Sequence, residues 1–318
     1  VDERQGGMLM SRIKGVRKKL TQDLGFLIPP VHIRDNLELV PNAYRLTLFG
    51  ATVGSGEVQP DREMALSPGQ VHGTIEGTPT VDPAFGLEAW WIDAGKRAQA
   101  QGMGYTVVDA ATVIATHLSQ TVRAHAHELL GHDEVQQLLD ALARHAPKLV
   151  EDLVPAKLPL SVVVKVLQSL LVEGLSIRSL RSIAEALAEA ATRSQDPATL
   201  VGEVRVALGR QIVQEINGLE DELPVLTLAP ALEQMLQDSL QGQGAVLEPG
   251  LAEEVQRSLG EGVQRQEASG QPAVLLVPAL LRPVLSRFAR HSLPGLHVLA
   301  YNEVPESKRI RLVGAVGA

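Results

Sequence analysis

Cysteine is absent from this 318-residue sequence. Disulfide bonds, zinc sites built on thiolates and thiol nucleophiles all need a cysteine side chain, so these three kinds of chemistry are excluded. A reducing compartment is compatible with this composition.

Excess positive charge and long apolar runs are missing as well. The formal net charge is −8, whereas a general nucleic-acid binder needs a basic face that displaces counterions from phosphates. The most apolar segment, 273–281, is shorter than the roughly 18–20 residues that cross a bilayer, and no secretory signal is visible. With 45% hydrophobic and 21% charged residues, the composition is typical of a soluble globular protein with about two domains or a few smaller subdomains.

The N-terminal part mixes helical and strand patterns. Apolar residues three and four apart predict a helix over 8–24, and period-two alternation predicts a strand over 44–48. Glycines at 50, 54 and 56 predict a turn into a further strand near Val58. The other elements predicted in this part are strands at 31–33, at 90–92 and at 105–108, short strands within 61–80, and a helix at 96–101.

From Asp109 onward the pattern becomes mainly helical and then alternates. Asp109 is placed to cap a helix that runs to about residue 130. Further helices are predicted at 134–146, 161–173, 179–191 and 197–216. The last third alternates between strands at 225–227, 273–277, 297–300 and 310–313 and helices at 230–240, 249–266 and 283–290. The predicted fold class is therefore a multi-subdomain α+β and α/β protein with a helical middle region.

A cluster of histidines near residue 130 resembles a zinc-hydrolase motif only superficially. His127 and His132 are five residues apart, which is about 140° around a helix, whereas the HExxH motif needs a spacing of four. We interpret His125, His127, Glu128 and His132 as polar residues on a helix surface, with a metal-dependent hydrolase as the distant alternative. Phosphate-binding and nucleophile-elbow motifs do not occur in the sequence.

Aromatic residues make up only 3% of the chain, and three of them fall within seven residues of the segment 81–93. Asp82 and Pro83 favour a turn, Gly86 allows the chain to bend, and Phe85 lies between them. A phenylalanine in such a turn either lines an apolar surface for a partner or closes the base of its own subdomain. Both interpretations remain open on spacing alone. Trp90 and Trp91 are predicted to be core residues rather than binding residues.

Several long blocks in fixed order resemble the FlhA family, the flagellar type III export-gate proteins. The resemblance extends over essentially all 318 residues and corresponds to the C-terminal cytoplasmic region of that family. The matching blocks are RKKLTQDLGF (17–26), VHIRDNLEL (31–39), TVDPAFGLEAWWI (80–92), GYTVVDAATVIATHL (104–118), EVQQLLD (134–140), PKLVEDLVP (147–155), KVLQSLLVEGLSIR (165–178) and VRVALGRQI (204–212). DPAFGL and VVDAATVIATHL favour the flagellar branch over the related injectisome export proteins, which are the alternative.

This resemblance implies an organisation and a role. It implies four subdomains: residues 1–60 with 110–129, an inserted subdomain at 61–109, a helical one at 130–209 and an α/β one at 210–318. It implies a nine-membered ring at the cytoplasmic face of the bacterial inner membrane. In the family, an N-terminal transmembrane portion that precedes this region attaches it to the membrane. The expected partners are export chaperones with bound late flagellar substrates and other export-apparatus proteins, with no nucleic acid, no cofactor and no catalysis.

The resemblance also implies a chaperone-binding site. The family's motif positions fall on Asp82 and Phe85 in DPAF and on Thr116 in ATHL. Leu66 and Pro68 in ALSPG complete the predicted set.

Overall fold

The computed structural model describes residues 3–242, 249–293 and 295–317, which form two compact units. The first unit contains the described residues up to Asp140 together with Leu167–Ser179. The second unit contains Ala141–Val166 and the described residues from Leu180 onward. Among the described helices, none has both the length and the apolar character needed to cross a bilayer.

The first unit begins with a helix and a hairpin. Helix α1 spans Glu3–Leu24 and buries the predicted apolar face, including Leu20 and Leu24. Strands β1 (Ala43–Leu48) and β2 (Ala51–Glu57) pair in antiparallel orientation.

The predicted turn before the second strand is partly right. Gly50 lies in this turn together with Phe49, and both have positive φ, but Gly54 and Gly56 lie within β2. The strand predicted at 31–33 does not form. This segment follows two prolines, which lack backbone N–H donors, and it leaves Ile33 exposed, so it has no buried face that favours a strand.

A four-stranded antiparallel sheet occupies residues 62–109. Its strand order is β4-β5-β3-β6, and the strands are β3 (Arg62–Leu66), β4 (Thr78–Val81), β5 (Glu88–Asp93) and β6 (Thr106–Asp109). The short helix α2 (Arg97–Gly102) packs against this sheet. Trp91 is buried, and Trp90 packs edge-on against Tyr105, so both tryptophans belong to the core as predicted.

Helix α3 (Ala110–Ala124) follows β6 directly. The Asp109 carboxylate accepts hydrogen bonds from the Thr112 backbone N–H at 2.7 Å and from its hydroxyl at 2.8 Å, which confirms the predicted cap. Helix α3 packs against α1, and ion pairs Arg12–Asp109 and Arg123–Asp23 join the two helices near the ends of α3. The helix ends at Ala124 instead of continuing to about 130.

Helices dominate the middle of the chain. They are α4 (His132–Ala143), α5 (Pro147–Leu153), α6 (Leu160–Val172), α7 (Leu180–Ala190), α8 (Pro197–Ala207) and α9 (Gly209–Asn217). The single helix predicted at 197–216 is thus divided at Leu208. At this break Gly209 approaches the backbone carbonyl of Glu303 so closely that a Cβ atom would lie 2.1 Å from its oxygen.

The second unit ends in an α/β layer, as the alternating pattern predicts. All strand pairs are parallel, and the strand order is β10-β7-β8-β9. The elements are β7 (Glu222–Leu228), α10 (Pro230–Gly242), α11 (Pro249–Ala268), β8 (Val274–Val277), α12 (Arg282–Ser292), β9 (His297–Ala300) and β10 (Arg309–Val316). The mixed α+β and α/β fold class is therefore confirmed.

Candidate docking surface

A tight turn joins β4 to β5 and carries the DPAFGL motif. The backbone N–H of Asp82 donates to the carbonyl of Leu87, and the N–H of Gly86 donates to the carbonyl of Asp82, both at 2.9 Å. Gly86 has a φ of 70°, which glycine adopts without strain. The Asp82 carboxylate accepts the backbone N–H of Phe85 at 2.8 Å, and Asp82 itself is only 4% exposed. The turn is thus fixed from within by a buried carboxylate.

The turn presents an apolar surface to solvent. Phe85 is 58% exposed, and Val81 and Leu87 beside it are 61% and 38% exposed. The alternative in which Phe85 closes the base of its own subdomain is therefore wrong. Neighbouring exposed apolar side chains, here on a turn held by hydrogen bonds, are typical of a surface that binds another protein.

Leu66 and Pro68 lie at the same end of the sheet as this turn. Leu66 is the last residue of β3 and is opposite Ala89 of β5 in the strand register. The next residue, Ser67, donates its backbone N–H to the carbonyl of Glu88 at 2.9 Å, and Pro68 is exposed. The structure therefore brings four of the five predicted residues, Asp82, Phe85, Leu66 and Pro68, to one end of the sheet.

Thr116 lies on a different element. It is half-buried on α3, and it immediately precedes His117. Helix α3 contacts both β3 and β2, so Thr116 belongs to the helix that supports this part of the unit.

A tyrosine–histidine pair, in which His117 is buried and Tyr44 is half-buried, feels the charge of Asp82 and has no counterpart in the sequence predictions. The Tyr44 hydroxyl is 2.7 Å from Nδ1 of His117, and the two rings meet edge to face with centroids 5.7 Å apart. Burial raises the pKa of the Tyr44 phenol, and the nearby charge of Asp82 raises it further. Burial also lowers the pKa of His117, an effect that the Asp82 carboxylate only partly opposes. Both groups are therefore neutral at neutral pH, and the tautomer of His117 decides which of them donates the proton of their hydrogen bond.

Two glycines of β2 leave room for this pair. A Cβ atom on Gly56 would lie 2.8 Å from the Tyr44 hydroxyl, and one on Gly54 would lie 3.0 Å from Nε2 of His117. The sequence contained this signal as two glycines in a strand-like segment, but glycines in such a segment also fit a turn. Tyr44 and His117 are 73 residues apart, so spacing alone does not reveal their contact.

The histidine cluster does not form a metal centre. His125 follows the last residue of α3, and its Nδ1 is 2.6 Å from Oε1 of Glu128, whereas Nε2 of His127 is 3.9 Å from the same oxygen. His132 begins α4. Within residues 3–242, 249–293 and 295–317, no group of three or more histidine or carboxylate side chains is arranged to hold a metal ion. The geometry gives the hydrolase alternative no support. The helix-surface interpretation is wrong for His125, His127 and Glu128, because residues 125–131 are not helical, but it holds for His132, which is exposed on α4.

Comparison with known proteins agrees with the sequence resemblance. The chain is 50% identical over 317 residues to the flagellar biosynthesis protein FlhA of Escherichia coli K12, and 49% identical to that of Salmonella typhimurium. Both matches cover 100% of this chain but only 46% of the relative, so the chain spans about half the length of these curated relatives.

Solved structures share the fold. The Chlamydia pneumoniae CdsV protein, solved in complex with CdsO, gives a TM-score of 0.83 at 25% identity. The alignment covers 96% of this chain and 89% of the solved chain. Nonameric SctV-C from EPEC gives 0.77 at 22% identity over 97% of this chain and 94% of its own, which shows the fold alone. The sequence pattern of the FHIPEP family matches residues 1–309, so this chain belongs to the FHIPEP family.

Proposed function

We propose that this chain is the docking platform of a flagellar type III protein export gate, and that it binds export chaperones carrying late flagellar substrates and helps to order their export. The 50% identity to flagellar relatives over the whole chain supports the flagellar role. The type III secretion relatives among the solved structures are only 20–25% identical, so an injectisome role has less support.

The observation that carries this proposal is the exposure of Phe85 on a turn that is already fixed. Full burial of a phenylalanine side chain by a partner stabilises a complex by roughly 1.5–3 kcal/mol. Because Asp82 holds the Phe85 amide before any partner arrives, little conformational entropy is lost on binding. An exposed aromatic anchor on a preorganised turn is the arrangement expected at the centre of a binding surface.

The exposed apolar side chains of the surface favour an apolar segment of a partner, such as one face of an amphipathic helix. Val81, Phe85 and Leu87 supply the apolar contact area, and exposed Glu88 adjoins them as a polar edge. We assign Leu66, Pro68 and Thr116 to the rim of the same surface. The proposed role of the chain is therefore binding and not catalysis.

Assembly and location complete the proposal. The EPEC and EscV relatives are nonameric in their solved structures, and we extend a ring of this kind to the present chain. Sedimentation of the purified chain at rising concentration tests this extension, which a monomer at every concentration would contradict. The four-subdomain division stays a prediction. The remaining length of the curated relatives leaves room for a membrane portion that would hold the ring at the cytoplasmic face of the inner membrane.

Titration of a purified flagellar chaperone–substrate complex against variants tests the docking surface. Phe85→Ala is expected to weaken binding by about tenfold or more, because the anchor side chain is lost. Phe49→Ala is the matched control, since Phe49 is 81% exposed at the tip of the other hairpin and is expected to bind like wild type. Equal affinity for the Phe85→Ala variant, with its fold intact, would remove Phe85 from the site.

A further inference from the structure

Strand β4 is an edge strand, and its outer side leads directly to the turn that carries Phe85. In the strand order β4-β5-β3-β6 it pairs with β5, and within the described residues no strand joins its other side. It ends at Val81, and the β4–β5 turn follows at once. The backbone N–H and C=O groups on the free side of an edge strand can pair with another chain. A place for an extended segment therefore adjoins the proposed contact at Phe85.

The strand register determines which backbone groups of β4 face outward. The N–H of Ser67, which follows β3, donates to the carbonyl of Glu88 at 2.9 Å, so the backbone groups of Glu88 point away from β4. Glu88 is opposite Val81, and backbone groups alternate in direction along an antiparallel pair, so Val81 and Pro79 point theirs away from β5. A proline fits this position, because it has no N–H to donate to β5. The free side of β4 therefore offers the carbonyl of Pro79 and both the N–H and the carbonyl of Val81.

A cavity of about 390 Å³ adjoins β4, and all three residues of Thr78–Thr80 line it. Trp91 of β5 lines it from the same sheet, and Asn42 and Val58 line it from the base of the β1–β2 hairpin. Its volume lies within the range of about 300–1,000 Å³ that is usual for binding pockets. Because side chains alternate between the two faces of a strand, every second side chain of a segment added to β4 lies on the face of the cavity. In strand addition, such a pocket for alternate side chains provides the specificity.

The lining of the cavity carries more negative than positive charge. Glu57 and Asp61 line it and are exposed, so they contribute two carboxylates. The basic residue in the lining, Arg62, is already bonded. Its guanidinium donates to the Thr78 hydroxyl at 2.9 Å and lies 3.6 Å from the Asp93 carboxylate. This charge distribution complements a lysine or arginine side chain and disfavours an acidic one.

We propose that β4 binds an extended segment of the chaperone–substrate complex by strand addition, and that a lysine or arginine of this segment enters the cavity beside Glu57 and Asp61. The inference rests on the proposed function, because it concerns the same partner. It adds a second contact of different chemistry, in which backbone hydrogen bonds and charge along β4 accompany the apolar contact at Phe85. The segment belongs either to the chaperone or to the substrate, and the experiment distinguishes these two sources.

Two variants of Val81 test the backbone contact. Val81→Ala shortens the side chain and keeps the outward N–H, whereas Val81→Pro also removes this N–H without taking a hydrogen bond from β5. The purified flagellar chaperone–substrate complex is titrated against both variants. Val81→Pro is expected to bind about three- to tenfold more weakly than Val81→Ala, which is the loss that one hydrogen bond accounts for. Equal affinities of the two variants would overturn the strand addition.

A charge variant tests the cavity and leaves the backbone of β4 unchanged. The double variant Glu57→Gln/Asp61→Asn is expected to bind the complex more weakly than wild type and to lose part of the salt dependence of binding. The double variant Glu151→Gln/Glu189→Gln is the control, because it removes two charges at exposed sites of the second unit, and it is expected to bind like wild type. Equal affinity and equal salt dependence of the two double variants would refute the role of the cavity.

Overlapping peptides from the chaperone and from the substrate identify the source of the segment. Peptides with a basic residue, from one of the two proteins, are expected to bind wild type and to bind Glu57→Gln/Asp61→Asn more weakly. If wild type does not bind the chaperone–substrate complex at all, the proposed function fails together with this inference. If wild type binds the complex and both the Val81→Pro and the double variant match their controls, the strand addition alone fails.

Discussion

At the level of single residues, side-chain size and hydrogen-bonding capacity determine the structure of the Tyr44–His117 pair and of the β4–β5 turn. Gly54 and Gly56 provide space that Tyr44 and His117 fill, and an alanine at either position would crowd a ring atom or the hydroxyl. Asp82 is buried although it is a carboxylate, and its hydrogen bond to the Phe85 amide is part of what compensates that burial. The DPAF motif was therefore readable as a turn, but the Tyr44–His117 contact was not, because the two residues are 73 positions apart.

The free energy of unfolding should depend on pH through the protonation of His117. Burial lowers its pKa from the usual 6.5, so below about that pH the unfolded chain binds more protons than the folded chain. The stability that neutral His117 contributes is complete above pH 6.5, is lost as the pH falls toward the lowered pKa, and changes no further below it.

Chemical denaturation at about pH 7.5 and about pH 5 measures this effect. Wild type is expected to lose more unfolding free energy between these values than His117→Asn does. Because all other titrating groups are common to the two proteins, the difference between their pH dependences isolates His117. Identical losses in both proteins would show that the folded state does not perturb His117.

Local signals predict where elements begin better than where they end. The start of α3 was predictable because Asp109 carries its own capping signal in the sequence. Its end was not, because the helical pattern continues past Ala124 while Ala126 and Leu130 are buried in non-helical backbone. The strand expected at 31–33 failed for a related reason, since a strand needs a partner strand that a local pattern cannot supply.

The residues that cap the N-termini of α3 and α8 differ in their ion pairing, so the stability of variants at the two positions can be compared. Asp196 caps α8 through Thr199 at an exposed site, whereas Asp109 caps α3 and also pairs with Arg12 at 2.6 Å. Asp196→Ala is expected to cost about 1 kcal/mol, and Asp109→Ala about 1–3 kcal/mol, because it also removes the ion pair.

Denaturant titrations of both variants check this order. Asp109→Asn serves as the control, since it keeps a capping oxygen and loses the charge that pairs with Arg12, and it should fall between wild type and Asp109→Ala. A larger loss from Asp196→Ala than from Asp109→Ala would contradict the described role of the Arg12–Asp109 pair.

At the scale of the whole molecule, the fold class was predictable and the long-range connections were not. Alternating strands and helices near the C-terminus were sufficient to predict an α/β layer. The return of Leu167–Ser179 to the first unit, where Ile177 donates its N–H to the carbonyl of Leu24 at 2.9 Å, follows from tertiary packing. The same holds for the buried Arg205–Glu303 pair of the second unit, whose residues are 98 positions apart. Patterns with a short period cannot encode such contacts.

Site-specific photo-crosslinking tests whether a partner contacts the turn at Phe85. A photoreactive phenylalanine analogue, p-benzoylphenylalanine, replaces Phe85 in one variant and Phe49 in a second, since both side chains are exposed on hairpin turns. On irradiation with the purified chaperone–substrate complex, the analogue at position 85 is expected to crosslink to the complex and the analogue at position 49 is not. Crosslinking at position 49 alone, or equally at both positions, would show that the Phe85 turn is not the specific contact of the partner.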